Sequence, residues 1–313
     1  MTTFSHQTVL LDEAVVSVLG AQDGVYVDAT FGRGGHTRHL LAHLGAAAQV
    51  LGFDKDMQAI ACGEALAAED PRFTIVHESF ADIQMVLGAR GLSGRVDGVL
   101  ADLGVSSPQL DDAERGFSFQ NDGPLDMRMD VTRGESAAQW LVDVAEEELA
   151  RVLFQYGEER HSRRIARAIV KARAENPITR TRELAEIVAA AHPSWEKHKH
   201  PATRSFQAIR IAINNELGDI ETFLRAALAV LKPGGRLAVI SFHSLEDRLV
   251  KQYFQKEAKG DDFPRGLPIT VDMLKPRLKI IGKAIEPSAE EVEANPRSRS
   301  ARLRVAEKIA EAV

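Results

Sequence analysis

A glycine-rich turn near the N-terminus has the residue types and spacing of a nucleotide-binding loop. The stretch "YVDATFGRGGHTRHLL" begins at Tyr26 and predicts a strand, a turn and the start of a helix. Glycines at positions 32, 34 and 35 let the backbone approach a ligand with no Cβ in the way. A dinucleotide fold favours GxGxxG, but Thr37 stands at the third glycine position. The pattern therefore weakens a pyrophosphate interpretation, and a simple packing turn remains an alternative.

Two carboxylates end later strands of the same region. Asp54 lies about twenty residues beyond the turn, where a carboxylate can accept hydrogen bonds from both hydroxyls of a ribose. Asp102 ends the fourth predicted strand, and open α/β sheets bind their ligands at such strand ends. Phe80, after the third strand, either stacks on an adenine ring or belongs to the core. These positions fit a methyl donor with an adenosine half, and the absence of GxxxxGK[ST] argues against phosphoryl transfer.

If the methyl acceptor is a nucleotide, the identity of the reacting atom can be partly inferred by exclusion. Methylation at C5 of a pyrimidine needs a cysteine that attacks C6, and Cys62, the one cysteine, lies in a helical pattern. Methylation of a ribose hydroxyl favours a lysine near the end of the fourth strand, and "ADLGVSSPQL" has none. An exocyclic amine remains, whose N–H can be accepted by Asp102 or by a carbonyl of residues 103–105. Phe117 and Phe119 are candidates for stacking on the base, with anchoring of a long loop as the alternative.

The elements that position these residues alternate between strand and helix patterns. Such alternation predicts a parallel sheet with helices on both faces. Helical patterns alone fill the later part of the chain up to about Leu231, and the alternation resumes with the strand "RLAVISF". We therefore predict an α/β domain of residues 1–110 and 206–313, interrupted after its fourth strand by a helical domain of residues 111–205.

Charge is spread unevenly along the chain. The formal net charge is −6, yet residues 158–210 contain twelve Lys or Arg against six Asp or Glu. A basic segment in an acidic protein indicates a directed anionic partner. Four basic residues are spaced to share one helix face and are our candidates for contacts with this partner: Arg160, Arg164, Arg167 and Lys171. A solvated helix face is the alternative.

Other functions are disfavoured by what the sequence lacks. It has no apolar run of about 18 residues and no export-signal pattern, so we expect a cytoplasmic protein without membrane contact. His192, His198 and His200 lack the usual ligand spacing, so no metal site is expected there.

Several longer motifs carry a family resemblance. In chain order they are "HQTVLLDEAV", "DATFGRGGHTRHLL", "FDKD", "ADLGVSSPQLDDAERGFSFQNDGPLDMRMD", "RSFQAIRIAINNEL", "LKPGGRLAVISFHSLEDRLVK" and "NPRSRSARLRVAE". Together, from about His6 to Glu307, they resemble the bacterial 16S ribosomal RNA cytosine-N4-methyltransferase family. The resemblance implies a class I methyltransferase sheet, Rossmann-like, with an inserted all-helical domain, and S-adenosylmethionine as cofactor.

The resemblance also implies which residues contact the cofactor: Gly34, Gly35, His36, Asp54, Phe80, Asp102 and Gln109. His36 and Gln109 rest on the resemblance alone. The implied substrate is a cytidine of the decoding centre in 16S rRNA, within the small ribosomal subunit.

We therefore expect a methyltransferase acting on N4 of that cytidine, with Asp102 as the catalytic residue. A methyltransferase acting on DNA or another amine is one alternative, although "DLGVSSP" lacks the proline pair and aromatic residue common in DNA amino-methyltransferases. A non-catalytic ribosome assembly factor that binds the cofactor is the second, and the carboxylates at Asp54 and Asp102 argue against it.

Overall fold

The computed structural model describes residues 8–193, 200–261 and 274–310. Contacts divide the chain into two compact units, one of residues 1–104 and 217–313, the other of residues 105–216. We call them the sheet unit and the helical unit. No helix among the described residues is long and apolar enough to cross a membrane.

The boundaries of these units differ from the domain boundaries predicted from the sequence, at residues 110 and 206, for two physical reasons. Val105 and Leu110 pack against the core of the helical unit, so that unit begins earlier. The pattern that continues through residue 231 as one helix is broken at Asn214 and Asn215, where Asn215 has a φ of 50°. The helix before this break therefore ends inside the helical unit.

The sheet unit is built on a seven-stranded sheet with strand order β3-β2-β1-β4-β5-β7-β6. The first five strands pair in parallel, whereas β7 runs antiparallel to both β5 and β6. The strand bounds are β1 Val25–Asp28, β2 Gln49–Asp54, β3 Phe73–His77, β4 Val96–Asp102, β5 Leu231–Ser241, β6 Leu278–Ile285 and β7 Arg302–Lys308. The predicted α/β fold with a largely parallel sheet is confirmed, with β5 starting earlier than its pattern indicates.

Helices cover both faces of this sheet. They are α1 Leu11–Val18, α2 Gly35–Ala42, α3 Met57–Glu69, α4 Ile83–Ala89, α11 Glu216–Val230, α12 Ser244–Lys259 and α13 Ala289–Ala294. Neighbouring residues of β1 show why: Tyr26 packs in a cluster with side chains of α1, α2 and α3, while Val27 packs in a cluster with α4, α11 and α12. Because successive strand residues face opposite sides, an apolar run such as "VYV" is buried on both.

The helical unit contains α5 Ser107–Asp111, α6 Ala137–Asp143, α7 Glu146–Gly157, α8 Ser162–Glu175, α9 Thr181–Ala191 and α10 Ala202–Ile213. Its core is formed by residues from all the longer helices, among them Leu141, Leu153, Ile165, Leu184 and Ile209. It is a separate core from those of the sheet unit, so the insertion is an independent packing unit.

Candidate active site at the carboxyl ends of the parallel strands

The glycine turn joins the end of β1 to the start of α2. Gly32 and Gly34 have φ values of 57° and 78°, in the left-handed region that favours glycine. A Cβ on Gly34 would lie 2.8 Å from ring atoms of Phe31, so the turn has no room for a side chain there. Gly34 caps α2 without a side-chain hydrogen bond. The turn thus brings bare backbone to the N-terminus of α2, where N–H groups and the helix dipole favour a carboxylate.

His36 and Thr37, the next residues, are both buried, and a contact of His36 with the cofactor stays a prediction. His36 is buried, with Nε2 3.1 Å from the carbonyl oxygen of Val9. Thr37 is fully buried and its hydroxyl donates to Asp28 Oδ2 at 2.7 Å. Thr37 therefore replaces the third glycine because its hydroxyl serves a buried carboxyl group.

Asp28, at the end of β1, is a site residue that the sequence reasoning missed. It is 1% exposed, and burial raises the pKa of its carboxyl to about 6, against hydrogen bonds from Thr37 and from the Thr30 N–H that lower it. The signal for Asp28 in the sequence was a carboxylate at the end of the strand that leads into the glycine turn.

Asp54 ends β2 and holds the glycine turn in place. Its Oδ2 accepts the N–H of Gly32 at 2.7 Å, and its Oδ1 accepts the N–H of Asp56 at 2.9 Å. Burial raises the pKa of the Asp54 carboxyl to about 6, against these hydrogen bonds that lower it. Each oxygen keeps a second lone pair, which is what recognition of two ribose hydroxyls requires.

Phe80 follows β3 in a short 3-10 turn and is half-buried. Its ring meets Phe223 edge-on, with centroids 5.2 Å apart, and Lys55 Nζ lies 5.7 Å from the Phe80 centroid. Lys55 also pairs with Asp219 of α11. The ring is thus anchored at the edge of the core, and stacking on adenine stays a prediction.

Asp102 ends β4 at this edge of the sheet. Its N–H donates to Thr30 Oγ1 at 2.6 Å, but its buried Oδ1 has no hydrogen-bond partner among the described residues. Burial raises the pKa of the Asp102 carboxyl well above its usual range, and the charges of Asp28 and Glu246 raise it further. Because an unpaired buried carboxyl oxygen is costly, Asp102 Oδ1 is a candidate acceptor for a hydrogen bond from a ligand.

The turn after β5 contributes Glu246, which the sequence reasoning also missed. His243 is the N-cap of α12, and Asp247 binds Arg304 at 2.7 Å. Glu246 is fully buried, and its Oε2 accepts the N–H of Phe242 at 2.8 Å. The side chain of His243 adjoins it, with Nε2 3.1 Å from Glu246 Oε1.

Gln109, in the helical unit, caps the start of α5. Its Oε1 accepts the N–H of Ser106 at 2.9 Å, while Ser106 Oγ accepts the N–H of Gln109 at 3.4 Å. The residue is buried. Its structural role in the helix start is clear from these bonds, and a contact with the cofactor stays a prediction.

The long loop of the helical unit, from about residue 112 to 134, is held by polar contacts. Arg115 donates to the carbonyl oxygens of Arg128 and Met129, both at 3.0 Å, and Asn214 accepts the N–H of Met129 at 2.7 Å. Within "PLDMRMD", Arg128 and Asp126 form a salt bridge at 2.7 Å.

The two candidate stacking residues of this loop differ in environment. Phe117 is 5% exposed within the core of the helical unit, so its ring cannot stack on a base in this conformation, and the structure favours the anchoring alternative for it. Phe119 is half-buried, with its ring centroid 4.6 Å from His200 and 4.8 Å from Phe206. Phe119 therefore remains the stacking candidate.

The four candidate residues, three on α8 and one two residues before its start, are exposed as predicted: Arg160, Arg164, Arg167 and Lys171. Ile165 and Ile169 are buried on the opposite side of the helix. Arg167 lies 3.6 Å from Glu146 but keeps 78% of its side chain exposed, so this contact holds it weakly. RNA binding by this face stays a prediction.

The histidines at which the spacing argues against a metal site contact other protein groups. His192 Nε2 lies 3.6 Å from Glu159 Oε1, whereas His200 Nδ1 accepts the N–H of Ala202 at 3.1 Å. His198 lies outside the described residues.

Comparison with known proteins identifies a family. Residues 3–309 match the model described as the MraW methylase family. Among solved structures, the chain is similar to a proposed rRNA methylase from Clostridium thermocellum, with 12% identity, 97% of this chain and 99% of that chain covered, and a TM-score of 0.46. It is also similar to an rRNA methylase from Streptococcus thermophilus, with 11% identity, 95% and 93% covered, and a TM-score of 0.39. A proposed methyltransferase from Streptococcus mutans in complex with SAH gives 13% identity, 94% of each chain and a TM-score of 0.41. Because these identities and TM-scores are low, the family match is the finding that carries an argument.

Proposed function

The chain belongs to the MraW methylase family, in agreement with the family that its motifs resemble, and we propose that it methylates N4 of a cytidine in the decoding centre of 16S rRNA. As a member of this family it is an S-adenosylmethionine-dependent methyltransferase. The acceptor atom, the RNA that carries it and the roles of the site residues are what we propose beyond the family's cofactor and reaction.

The observation that carries the proposal is the buried, unpartnered Oδ1 of Asp102 beside the glycine turn. The turn offers backbone N–H groups at the start of α2, and Asp54 offers carboxylate oxygens, which together suit a ligand with an amino-acid end and a ribose. Asp102 is then left to interact with the methyl acceptor. S-adenosylmethionine supplies an electrophilic methyl group when it is bound.

The chemistry of an exocyclic amine matches what Asp102 can provide. The lone pair of cytosine N4 is delocalised into the ring, so an acceptor on the N–H draws electron density back toward nitrogen. In the reaction the N–C bond forms, the C–S bond breaks and one N–H proton leaves. We infer that Asp102 Oδ1 accepts that N–H and then its proton, as a general base held in place for one geometry.

Recognition of RNA is assigned to the exposed basic face of α8. Basic side chains that neutralise phosphates give most of the affinity for a nucleic acid, without reading its sequence. The target base must leave its stack, which costs a few kcal/mol and is easier in a loop of RNA than in a duplex. We propose a substrate within the small ribosomal subunit, and therefore action in the cytoplasm.

The test is transfer of labelled methyl groups from S-adenosylmethionine to small ribosomal subunits prepared from cells without this enzyme, followed by nucleoside analysis. We expect the label in N4-methylcytidine at a single site. Subunits from cells that contain the enzyme are the control and should accept little label, because the site is already methylated. Label in another nucleoside, or preference for DNA, would refute the assignment of the acceptor. Cofactor binding without transfer would favour an assembly factor.

A further inference from the structure

Three carboxyl groups lie at the carboxyl edge of the sheet, two of them almost completely buried and the third, that of Asp102, half-buried with a buried Oδ1. Asp28 ends β1, Asp102 ends β4 and Glu246 is in the first turn of α12. Asp28 and Glu246 are 1% and 0% exposed. Like charges brought together in a buried place oppose each other's ionisation, so such a group indicates a site that handles protons.

Glu246 is fixed in position by the backbone around it. Its Oε2 accepts the N–H groups of Phe242 and His243, at 2.8 and 3.3 Å. Two such bonds favour the ionised form of a carboxyl group. The side chain is therefore held in one orientation, and its charge acts on Asp102 from a fixed position.

The position of Glu246 brings that charge to the strand end that carries Asp102. Asp102 pairs in register with Ile240 of β5, and the Leu103 N–H donates to the Ile240 carbonyl at 3.0 Å. Glu246 Oε1 lies 3.7 Å from where a Cβ on Gly104 would be, two residues after Asp102. The start of α12 thus packs against the loop that Asp102 begins.

We propose that Glu246 is a positioning residue for methyl transfer, whose fixed charge beside Asp102 makes the Asp102 carboxylate a stronger acceptor for the proton that the amine loses. The inference rests on the proposed function for the identity of the amine. It adds a role for a residue that the proposed function does not use.

The groups that face Asp102 from the packed elements of the sheet unit support this role. Asp28 approaches from β1 and Glu246 from α12, while His243 faces Glu246. Burial raises the pKa of Asp102 most, and the charges of Asp28 and Glu246 raise it further. An ordinary carboxylate is a weak base near neutral pH, and a raised pKa brings proton acceptance closer to the working pH.

The direction of the effect is fixed by electrostatics. Removing a neighbouring negative charge lowers the pKa of Asp102, so the carboxylate forms at lower pH but is a weaker base. The acid limb of the pH profile of kcat/KM for methyl transfer should then move to lower pH. The plateau above it should fall, by roughly threefold to tenfold, because general-base efficiency follows basicity.

Glu246→Gln is the test, because its amide oxygen can still accept the two backbone N–H groups. Asp247→Asn is the matched control: it removes the same charge from the same helix turn, but Asp247 binds Arg304. We expect a displaced acid limb for Glu246→Gln and an unmoved limb for Asp247→Asn. An unmoved limb in Glu246→Gln, with or without a lower plateau, would overturn the proposal, since a merely structural role changes amplitude alone.

A second measurement separates this proposal from the identity of the substrate. Infrared difference spectra between each protein and its Asp102→Asn form report the protonated Asp102 carboxyl without any RNA. The carboxyl band should disappear at lower pH in Glu246→Gln than in the native chain, and an identical titration would refute the role of Glu246 even if N4-methylcytidine is formed. If Glu246→Gln does not fold, Glu246→Asp is the second variant. It keeps the negative charge but moves it away from Asp102, because the aspartate side chain is shorter. It should displace the titration in the same direction and by less, and an unchanged titration would again refute the proposal.

Discussion

The carboxyl edge of the sheet and the basic face of α8 both concentrate charge, but they do so in opposite environments. At the sheet edge, Asp28 and Glu246 are almost completely buried, and Asp102 has a buried oxygen without a partner. On α8, Arg164 and Lys171 are exposed to solvent. A buried charge needs an explanation because removing it from water is costly, whereas an exposed charge is what any helix surface carries.

The magnitude of the cost shows how far the two cases differ. A rise in the pKa of Asp28 from 3.8 to about 6 corresponds to a penalty on the order of 3 kcal/mol for the ionised form. The folded state binds the proton more tightly here, so this penalty is absent below about pH 4 and complete above about pH 6. An exposed ion pair such as Arg167 with Glu146 contributes at most about 1 kcal/mol. The structure therefore says more about function at the sheet edge than on α8.

Asp102→Ala tests the buried side of this comparison and should have the largest effect. We expect methyl transfer to fall by about a hundredfold to ten-thousandfold, the usual contribution of a general base. The melting temperature should stay the same or rise, because the change removes a buried oxygen that no protein group satisfies. Labelled methyl transfer and thermal denaturation measure the two quantities.

Asp102→Asn is the control for that prediction. Asparagine keeps an oxygen that accepts a hydrogen bond but cannot take up a proton, so its activity should be close to that of the alanine variant. Native activity in either variant would show that Asp102 is not the proton acceptor, and native activity in Asp102→Asn alone would restrict its role to hydrogen bonding.

The sequence predicts the parts of this edge that depend on periodicity. The apolar patterns locate the strands, and the ends of β2 and β4 then place Asp54 and Asp102 at one side of a parallel sheet. Glu246 could not be found in this way. It differs from Asp247 by one position in the helix start, and only the extended backbone of His243, with φ −136° and ψ 162°, makes His243 the N-cap and turns Glu246 inward.

The helical unit shows the same limit. The spacing of α8 predicts which residues face solvent, because amphipathic periodicity is local. Phe117 and Phe119 stand two residues apart in a loop without periodicity, and nothing local distinguishes them. Their different burial depends on contacts with distant residues such as His200 and Phe206 of the folded unit.

Arg164→Glu combined with Arg167→Glu tests the exposed side of the comparison and should have an intermediate effect. We expect RNA affinity to fall by roughly tenfold or more, because phosphate contacts dominate affinity. The slope of log affinity against log salt should decrease by about 1.4, or about 0.7 for each lost contact with a single strand. Binding to small subunits at several salt concentrations measures both.

Lys279→Glu combined with Lys283→Glu is the matched control for the α8 reversal. It changes the net charge by the same amount at exposed positions of the edge strand β6. If both double variants weaken binding equally, the effect is one of net charge, and α8 is only a solvated face.

Phe119→Leu tests a residue between the two cases, half-buried and uncharged, and should have the smallest effect. Leucine keeps an apolar contact with Phe206 but removes the aromatic face, and stacking on a base contributes about 1–3 kcal/mol. If Phe119 stacks on the target base, KM for small subunits should rise by roughly fivefold with little change in melting temperature. Phe206→Leu is the control, since Phe206 is buried in the helical core and should change stability but not KM. A lower melting temperature with unchanged KM in both variants would make Phe119 a packing residue. The helical unit would then contribute charge to RNA recognition but no aromatic contact at position 119.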